Sequence, residues 1–160
     1  MSPDEVHPPD EVHPPKDQLC IRLAEGRDAR RLTELSHQLG YPATLDQVRT
    51  RLEKIIGDEN QAIFVAVSQA GEVVGWIQVS LKRLLIVEYH AEIEGLVIDE
   101  GYRSRGIGRA LMEQAESWAR HKGCKAVSLR SNVLREGAHE FYRALGYRII
   151  KTQQAFSKDL

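Results

Sequence analysis

Several things are scarce in this sequence, and each scarcity removes a class of protein. Cysteine occurs only at Cys20 and Cys124. The two are far apart, in no Cys-x-x-Cys or metal-ligand spacing, which points to reduced thiols rather than a disulfide framework or a zinc site. No apolar run approaches the roughly 18 residues of a membrane span, and the first residues lack the apolar centre of a signal peptide. The expectation is a soluble, cytoplasmic protein without a membrane partner. Charge of one sign is missing too: 22 basic residues face 23 acidic ones, a formal net charge of −1. A protein without a global basic field is not expected to bind nucleic acid, and any anion site has to be local. With 160 residues there is room for one core but not for two ordinary domains.

What is present divides the chain in two. Residues 1–18 hold D-E-V-H-P-P twice in tandem and are too rich in proline and charge for a helix or an inner strand, so they read as a flexible tail. Its His7 and His13 are better explained by the duplication than by metal binding, and two copies are too few for a solenoid. Residues 19–160 read as one globular domain.

Within it a strand at 20–23 precedes a helix from about Asp28, with Leu32, Leu35 and Leu39 on one face. Thr44 and Gln47 have capping-box spacing, and Val48, Leu52, Ile55 and Ile56 continue a second helix to Gly57. Two strands, 62–67 and 73–81, flank a hairpin turn at Gln69, Ala70 and Gly71, and another strand covers 91–98. From Gly106 a helix presents Ile107, Ala110, Leu111, Ala115, Trp118 and Ala119 on one face and ends at Gly123. A strand at 126–131, a helix at 136–145 and one or two strands from Tyr147 complete the chain. The expected fold is α/β: one mixed, twisted sheet of six to seven strands with helices on both faces.

The chemistry concentrates between Ala91 and Met112, where a strand runs through a turn rich in glycine and arginine into a helix. Gly106 and Gly108 remove side chains where a ligand must approach backbone, and the first N–H groups of a helix are free to donate to an anion. Arg103, Arg105 and Arg109 add positive charge. Together they form a candidate phosphate or pyrophosphate cradle; read without a ligand, the same residues are a strand-to-helix turn with solvated arginines. Two nucleotide motifs fail. Gly101 and Gly106 have P-loop spacing, but Ile107-Gly108 replaces the required Lys and Ser/Thr, and Leu111 stands where a dinucleotide fingerprint needs its third glycine.

Arg103-Ser104-Arg105-Gly106-Ile107-Gly108 resembles the Q/R-x-x-G-x-G/A acetyl-CoA signature of the GNAT superfamily. The strand Leu96-Val97-Ile98 precedes it as in that family, and residues 131–147 look like its closing strand–helix–strand segment. The resemblance covers roughly residues 19–160 and implies an N-acetyltransferase with acetyl-CoA as cosubstrate, an amine as acceptor and no metal. It also implies that the strand before the cradle splays from its neighbour, so that pantetheine pairs with the backbone of Leu96, Val97 and Ile98. Further implications are that Ser104 to Arg109 hold the pyrophosphate, that Asn132 contacts the pantetheine arm, and that the Leu96 N–H is the oxyanion donor. Tyr142, in Phe141-Tyr142, falls where the family commonly places the general acid; read structurally it is a core aromatic. His139, one helical turn earlier, is a reserve acid or base or a structural histidine.

For the base, Glu92 and Glu94 alternate on one strand face and could both point into an acceptor cleft. Ala91-Glu92-Ile93 also resembles the A-E-I that carries the catalytic Glu in the histone-acetylating branch. Glu92, Glu94 and a water chain all stay open as the base, and both carboxylates could instead simply solvate the strand. The acceptor is undecided between an aminoglycoside-like small molecule and a peptide or protein amine, and a homodimer is compatible with the family. A non-catalytic CoA-binding regulatory module on the same fold is the alternative function.

Overall fold

A computed structural model describes residues 19–131 and 133–160. The tail histidines His7 and His13 and the candidate Asn132 lie outside the described residues. The elements are β1 (Cys20–Leu23), α1 (Ala29–Gln38), α2 (Leu45–Ile56), β2 (Gln61–Val67), β3 (Val73–Lys82), β4 (His90–Ile98), α3 (Ile107–His121), β5 (Val127–Leu129) and α4 (Glu136–Ala144). The strands form one sheet in sequence order, antiparallel from β1 to β4, with β5 joined parallel to β4. A right-handed βαβ crossover through α3 is the usual way to make such a parallel pair.

Each sheet face has its own core. Phe64, Ile77, Val79, Ala91 and Ile93 meet Ile107, Leu111, Met112 and Ala115 of α3 on one face, while Val65, Val73 and Val97 meet Leu32 and Leu35 of α1 and Leu52 of α2 on the other. The helical spacings of the sequence therefore mark real packing faces. The Thr44–Gln47 capping box forms as expected: the Thr44 hydroxyl accepts from the Gln47 N–H at 3.2 Å, and the Gln47 amide oxygen accepts from the Thr44 N–H at 3.0 Å. No helix among the described residues is long and apolar enough to cross a membrane.

The expectation of six to seven strands is corrected to five among the described residues. The strand expected at 126–131 shortens to Val127–Leu129, and no strand forms from Tyr147 onward among the described residues. The physical reason is pairing. Tyr147 is tied back by a bond from its hydroxyl to Glu116 and by edge contact with the Tyr142 ring. Beyond it the side chains are exposed, Ile149 and Ile150 included, and strand propensity without a ladder partner does not make a strand.

Two ion clusters fasten the α1 side. The Arg22 guanidinium donates twice to Asp28, at 2.7 and 2.9 Å, and the Glu25 N–H adds a bond of 2.8 Å to the same carboxylate. Arg31 reaches from α1 to the Val73 carbonyl at 2.8 Å and to the Asp99 carboxylate, joining the start of β3 to the end of β4.

Asp28 is 5% exposed, and its burial opposes ionisation, yet the Arg22 guanidinium and the Glu25 N–H outweigh this and hold its carboxyl below the ordinary value. Its folded pKa is depressed, so its stabilisation is complete above the unfolded value near 3.9 and is lost as pH falls through the folded one. Asp28→Ala leaves the Arg22 charge without its partner and is expected to cost about 3 kcal/mol at pH 7 in urea unfolding, with the difference from wild type shrinking below about pH 3.5.

Candidate active site

The site follows from how β4 pairs on its two sides. Against β3 it is matched from His90 to Ile98, but the register shifts: Gln78 faces Gly95 and Val79 faces Ile93, leaving Glu94 as an extra residue. This bulge resets the alternation of side chains. Before it, Ala91 and Ile93 face α3; after it, Leu96 and Ile98 do, while Val97 packs toward α1 and α2. An unbroken strand would instead place Leu96 on the same face as Glu92 and Glu94.

Against β5 the pairing covers only Ala91, Glu92 and Ile93, opposite Val127, Ser128 and Leu129. Leu96, Val97 and Ile98 face no strand on that side among the described residues. The Asp99 N–H donates to the Val74 carbonyl at 2.8 Å. In an antiparallel ladder the residues directed at the partner alternate, so Val97 and Asp99 turn toward β3, and Leu96 and Ile98 turn their N–H and C=O to the open edge. The Ile98 carbonyl already accepts from Arg103 Nε there, at 3.3 Å. The Leu96 N–H and C=O therefore stand where a chain of amides can add itself as a strand.

At the end of β4 the turn carries Ser104 at φ 64° and Gly106 at φ 81°, both left-handed, before α3 begins. The first helical hydrogen bond runs from the Ala110 N–H to the Gly106 carbonyl, at 3.1 Å. The N–H groups of Ile107, Gly108 and Arg109 lie ahead of that ladder and remain donors for an anion. Arg103, Arg105 and Arg109 are all exposed around them; Arg105 lies over the Tyr102 ring at 5.0 Å, and Arg109 is 4.0 Å from Glu113.

The two signature glycines do different work. A Cβ on Gly106 would meet nothing within 4 Å, which is the open space a ligand requires. At Gly108 a Cβ would lie 3.1 Å from Phe141 Cζ. That glycine serves α4, whose Phe141 ring packs directly on the first turn of α3, and nothing in the sequence links the two positions. The contact brings the adjacent Tyr142 to the same end of the molecule. Tyr142 is half-buried with its ring 5.2 Å from that of Phe141, and burial pushes its phenol above the ordinary value of 10, the smaller effect of Arg135 notwithstanding. It therefore carries its proton throughout the neutral range. His139 is half-buried one turn earlier.

On the α1–α2 side, Glu92 and Glu94 share a face with Lys82. Glu92 is 7% exposed, with Arg130 Nε at 3.1 Å and Lys82 Nζ at 3.7 Å. Glu94 lies 2.6 Å from Lys82 Nζ and accepts from the Ser80 hydroxyl. Partial burial works against its charge, but the Lys82 and Ser80 donors prevail and hold its carboxyl below the usual range. Beside Glu94 opens a polar cleft of about 430 Å³, reaching Gln78, Gln61 and Asp58. The sequence singled out the two carboxylates but neither of their cationic partners, which come from β3 and from the residue after β5.

The site thus combines a strand edge open to amides, a helix start with free N–H donors beside it, and a carboxylate cleft on the far side of the same strand. Comparison with known proteins gives the family. The family model of the GNAT acetyltransferases matches residues 24–147, and the chain belongs to that family. It is an acetyl-CoA-dependent N-acetyltransferase that acts on an amine. It is 29% identical to the aminoglycoside N(6')-acetyltransferase type 1 of Stenotrophomonas maltophilia over 79% of this chain and 84% of that protein. It is 37% identical to the aminoalkylphosphonate N-acetyltransferase of Salmonella typhimurium, over 49% of this chain and 51% of that one. Its fold matches that of the aminoglycoside N-acetyltransferase AAC(6')-Iy in complex with CoA, with a TM-score of 0.82 at 19% identity, covering 93% of this chain and all of that one.

Acetyl-CoA fits this arrangement. Its diphosphate suits the N–H groups at the start of α3, where the Gly106 Cβ position is open, and its pantetheine amides suit the Leu96 edge. Ser131, just past β5, adds a buried hydroxyl without a hydrogen-bond partner among the described residues. Gly106→Val places a branched side chain in that open space and in a left-handed backbone, at a stability cost of about 1–2 kcal/mol. It is expected to weaken CoA binding at least tenfold by calorimetry while the circular dichroism spectrum stays native. Unchanged affinity would remove the phosphates from this turn.

Proposed function

We propose that the chain moves the acetyl group of acetyl-CoA directly onto a primary amine of a small polar molecule, as a cytoplasmic enzyme whose domain is residues 19–160. The observation that carries this reading is the two-sided use of β4: its outer edge opens at Leu96, and its α1–α2 face carries two carboxylates beside a cleft. Relatives named for aminoglycosides and aminoalkylphosphonates support a small molecule over a protein acceptor. The exposed Ile149, Ile150 and Phe156 beyond the last helix support association of two copies.

The thioester is already activated, so the protein has four tasks: to orient the amine, remove its proton, stabilise the oxyanion and protonate the thiolate. The amine nitrogen bonds to the thioester carbonyl carbon and the C–S bond breaks. The Leu96 N–H, turned to the open edge, faces the developing oxyanion. Glu92 receives the ammonium proton through a water, because its oxygens are walled by Arg130 and Lys82. Glu94, held below the usual carboxylate range by Lys82 and Ser80, stays ionised and serves to attract the ammonium. Tyr142, which burial keeps protonated, gives its proton to the CoA sulfur; Asn132 and residues 103–109 bind the carrier.

Tyr142→Phe keeps the ring and removes the proton, and turnover is expected to fall about 10²-fold with acetyl-CoA affinity unchanged. Stopped-flow detection of free thiol measures it; wild-type turnover would return Tyr142 to a packing role. Glu92→Gln is expected to abolish the limb of the kcat/KM pH profile that reports the base, the remaining rate rising with pH as free amine accumulates. Glu94→Gln is the control: it raises the amine KM and keeps that limb.

A further inference from the structure

The acceptor face already contains an ammonium. Lys82 Nζ sits 2.6 Å from Glu94 and 3.7 Å from Glu92, in the position a substrate ammonium would seek between the same two carboxylates. It is held there by the fold: β3 pairs Ser80 with Glu92 and Lys82 with His90, so the Lys82 side chain runs along the face that bears both acids. The Lys82 side chain is about one-third exposed, its head on the cleft wall.

The charge of the cleft follows. Asp58 and Glu94 line it with negative charge and Lys82 with positive charge, which leaves one carboxylate in excess. Glu92, beneath, is matched by Arg130. The remaining wall is neutral and hydrogen-bonding: the Gln78 amide donates to Gln61 at 3.0 Å, and the Gln61 amide to Asp58 at 2.8 Å. A cleft of this kind complements one ammonium on a neutral polar body, whereas a second ammonium meets Lys82 at short range in a partly dry setting, where like charges repel strongly.

We propose that Lys82 is a specificity-determining residue that sets the charge of the acceptor subsite, admitting amines with a single ammonium and disfavouring diamines and polycations. This rests on the reading above that the Glu92–Glu94 face receives the acceptor, and it goes beyond it by naming the acceptor's charge class. Lys82 also lies 3.7 Å from Glu92, and comparing two amines that share the same base isolates its effect on acceptor charge.

The test uses two amines of matched length, 4-amino-1-butanol and 1,4-diaminobutane, which differ by a hydroxyl in place of the second ammonium. Affinities for the full-length protein saturated with CoA are measured by calorimetry, and kcat/KM with acetyl-CoA by thiol release. Wild type is expected to favour the amino alcohol. Lys82→Met removes the charge but keeps the stem, and is expected to raise the diamine-to-amino-alcohol ratio at least tenfold, an effect that fades at about 1 M salt as surface charges are screened. Lys82→Arg retains the charge and is expected to keep the wild-type ratio. A ratio unmoved in Lys82→Met, or moved equally in Lys82→Arg, overturns the proposal. Glu94→Gln separates it from its foundation: equal weakening of both amines supports the acceptor placement, whereas amine affinities untouched by Glu94→Gln, or no binding of either amine to any variant, overturn the placement and the Lys82 proposal together. CoA affinity, read in the same titrations, reports independently on the cofactor site.

Discussion

Three residue pairs join β4 to β5, and the sheet's function depends on their stopping at Ile93. Had the ladder continued, Leu96 and Ile98 would have spent their outward N–H and C=O groups on a neighbouring strand, and no edge would remain for the amides of a carrier. Because β3 continues to hold β4 as far as Ile98 on the other side, the open edge is rigid rather than frayed. Since β5 covers the first part of β4, the open edge is confined to residues 96–98 instead of running the length of the strand, where a long edge would invite aggregation.

The bulge at Glu94 adds the second half of the arrangement. It lets one strand send Glu92 and Glu94 toward the cleft and then, two residues later, send Leu96 and Ile98 under α3. Gly95 completes this switch, since a Cβ there would lie 2.8 Å from the Trp76 ring. The open edge at Leu96 and the direction of the two carboxylates are thus fixed by one backbone irregularity. Arg31 secures the far end of the same strand through Asp99, so α1 holds the approach to the α3 turn in place although it supplies no group to the chemistry.

Much of this was legible in the residues and some of it was not. Local signals translated directly: the Thr44–Gln47 cap, the apolar stripe of α3 and the Arg103 to Gly108 turn depend on neighbours a few positions away, which a sequence displays. Pairing was less visible. The short β5 and the missing strands after Tyr147 depend on which backbone finds a partner, and Ile149 and Ile150 carry strand propensity whether or not one exists. The same limit hid Lys82 and Arg130 as partners of Glu92, and it hid Phe141, 33 positions on, which packs where a Cβ of Gly108 would stand. Resemblance to a family named a candidate cradle and a candidate acid, whereas the bulge and the charge of the cleft required coordinates.

The central claim is that one substrate engages both the open edge of β4 and the start of α3. Amide hydrogen exchange with and without saturating CoA tests it most directly, because both contacts are made by backbone N–H groups. The account predicts that CoA slows exchange at Ile98 and at Ile107, Gly108 and Arg109 together, while Val97, already bonded to β3, changes little. Protection confined to other segments, or equal protection along the whole of β4, would contradict it.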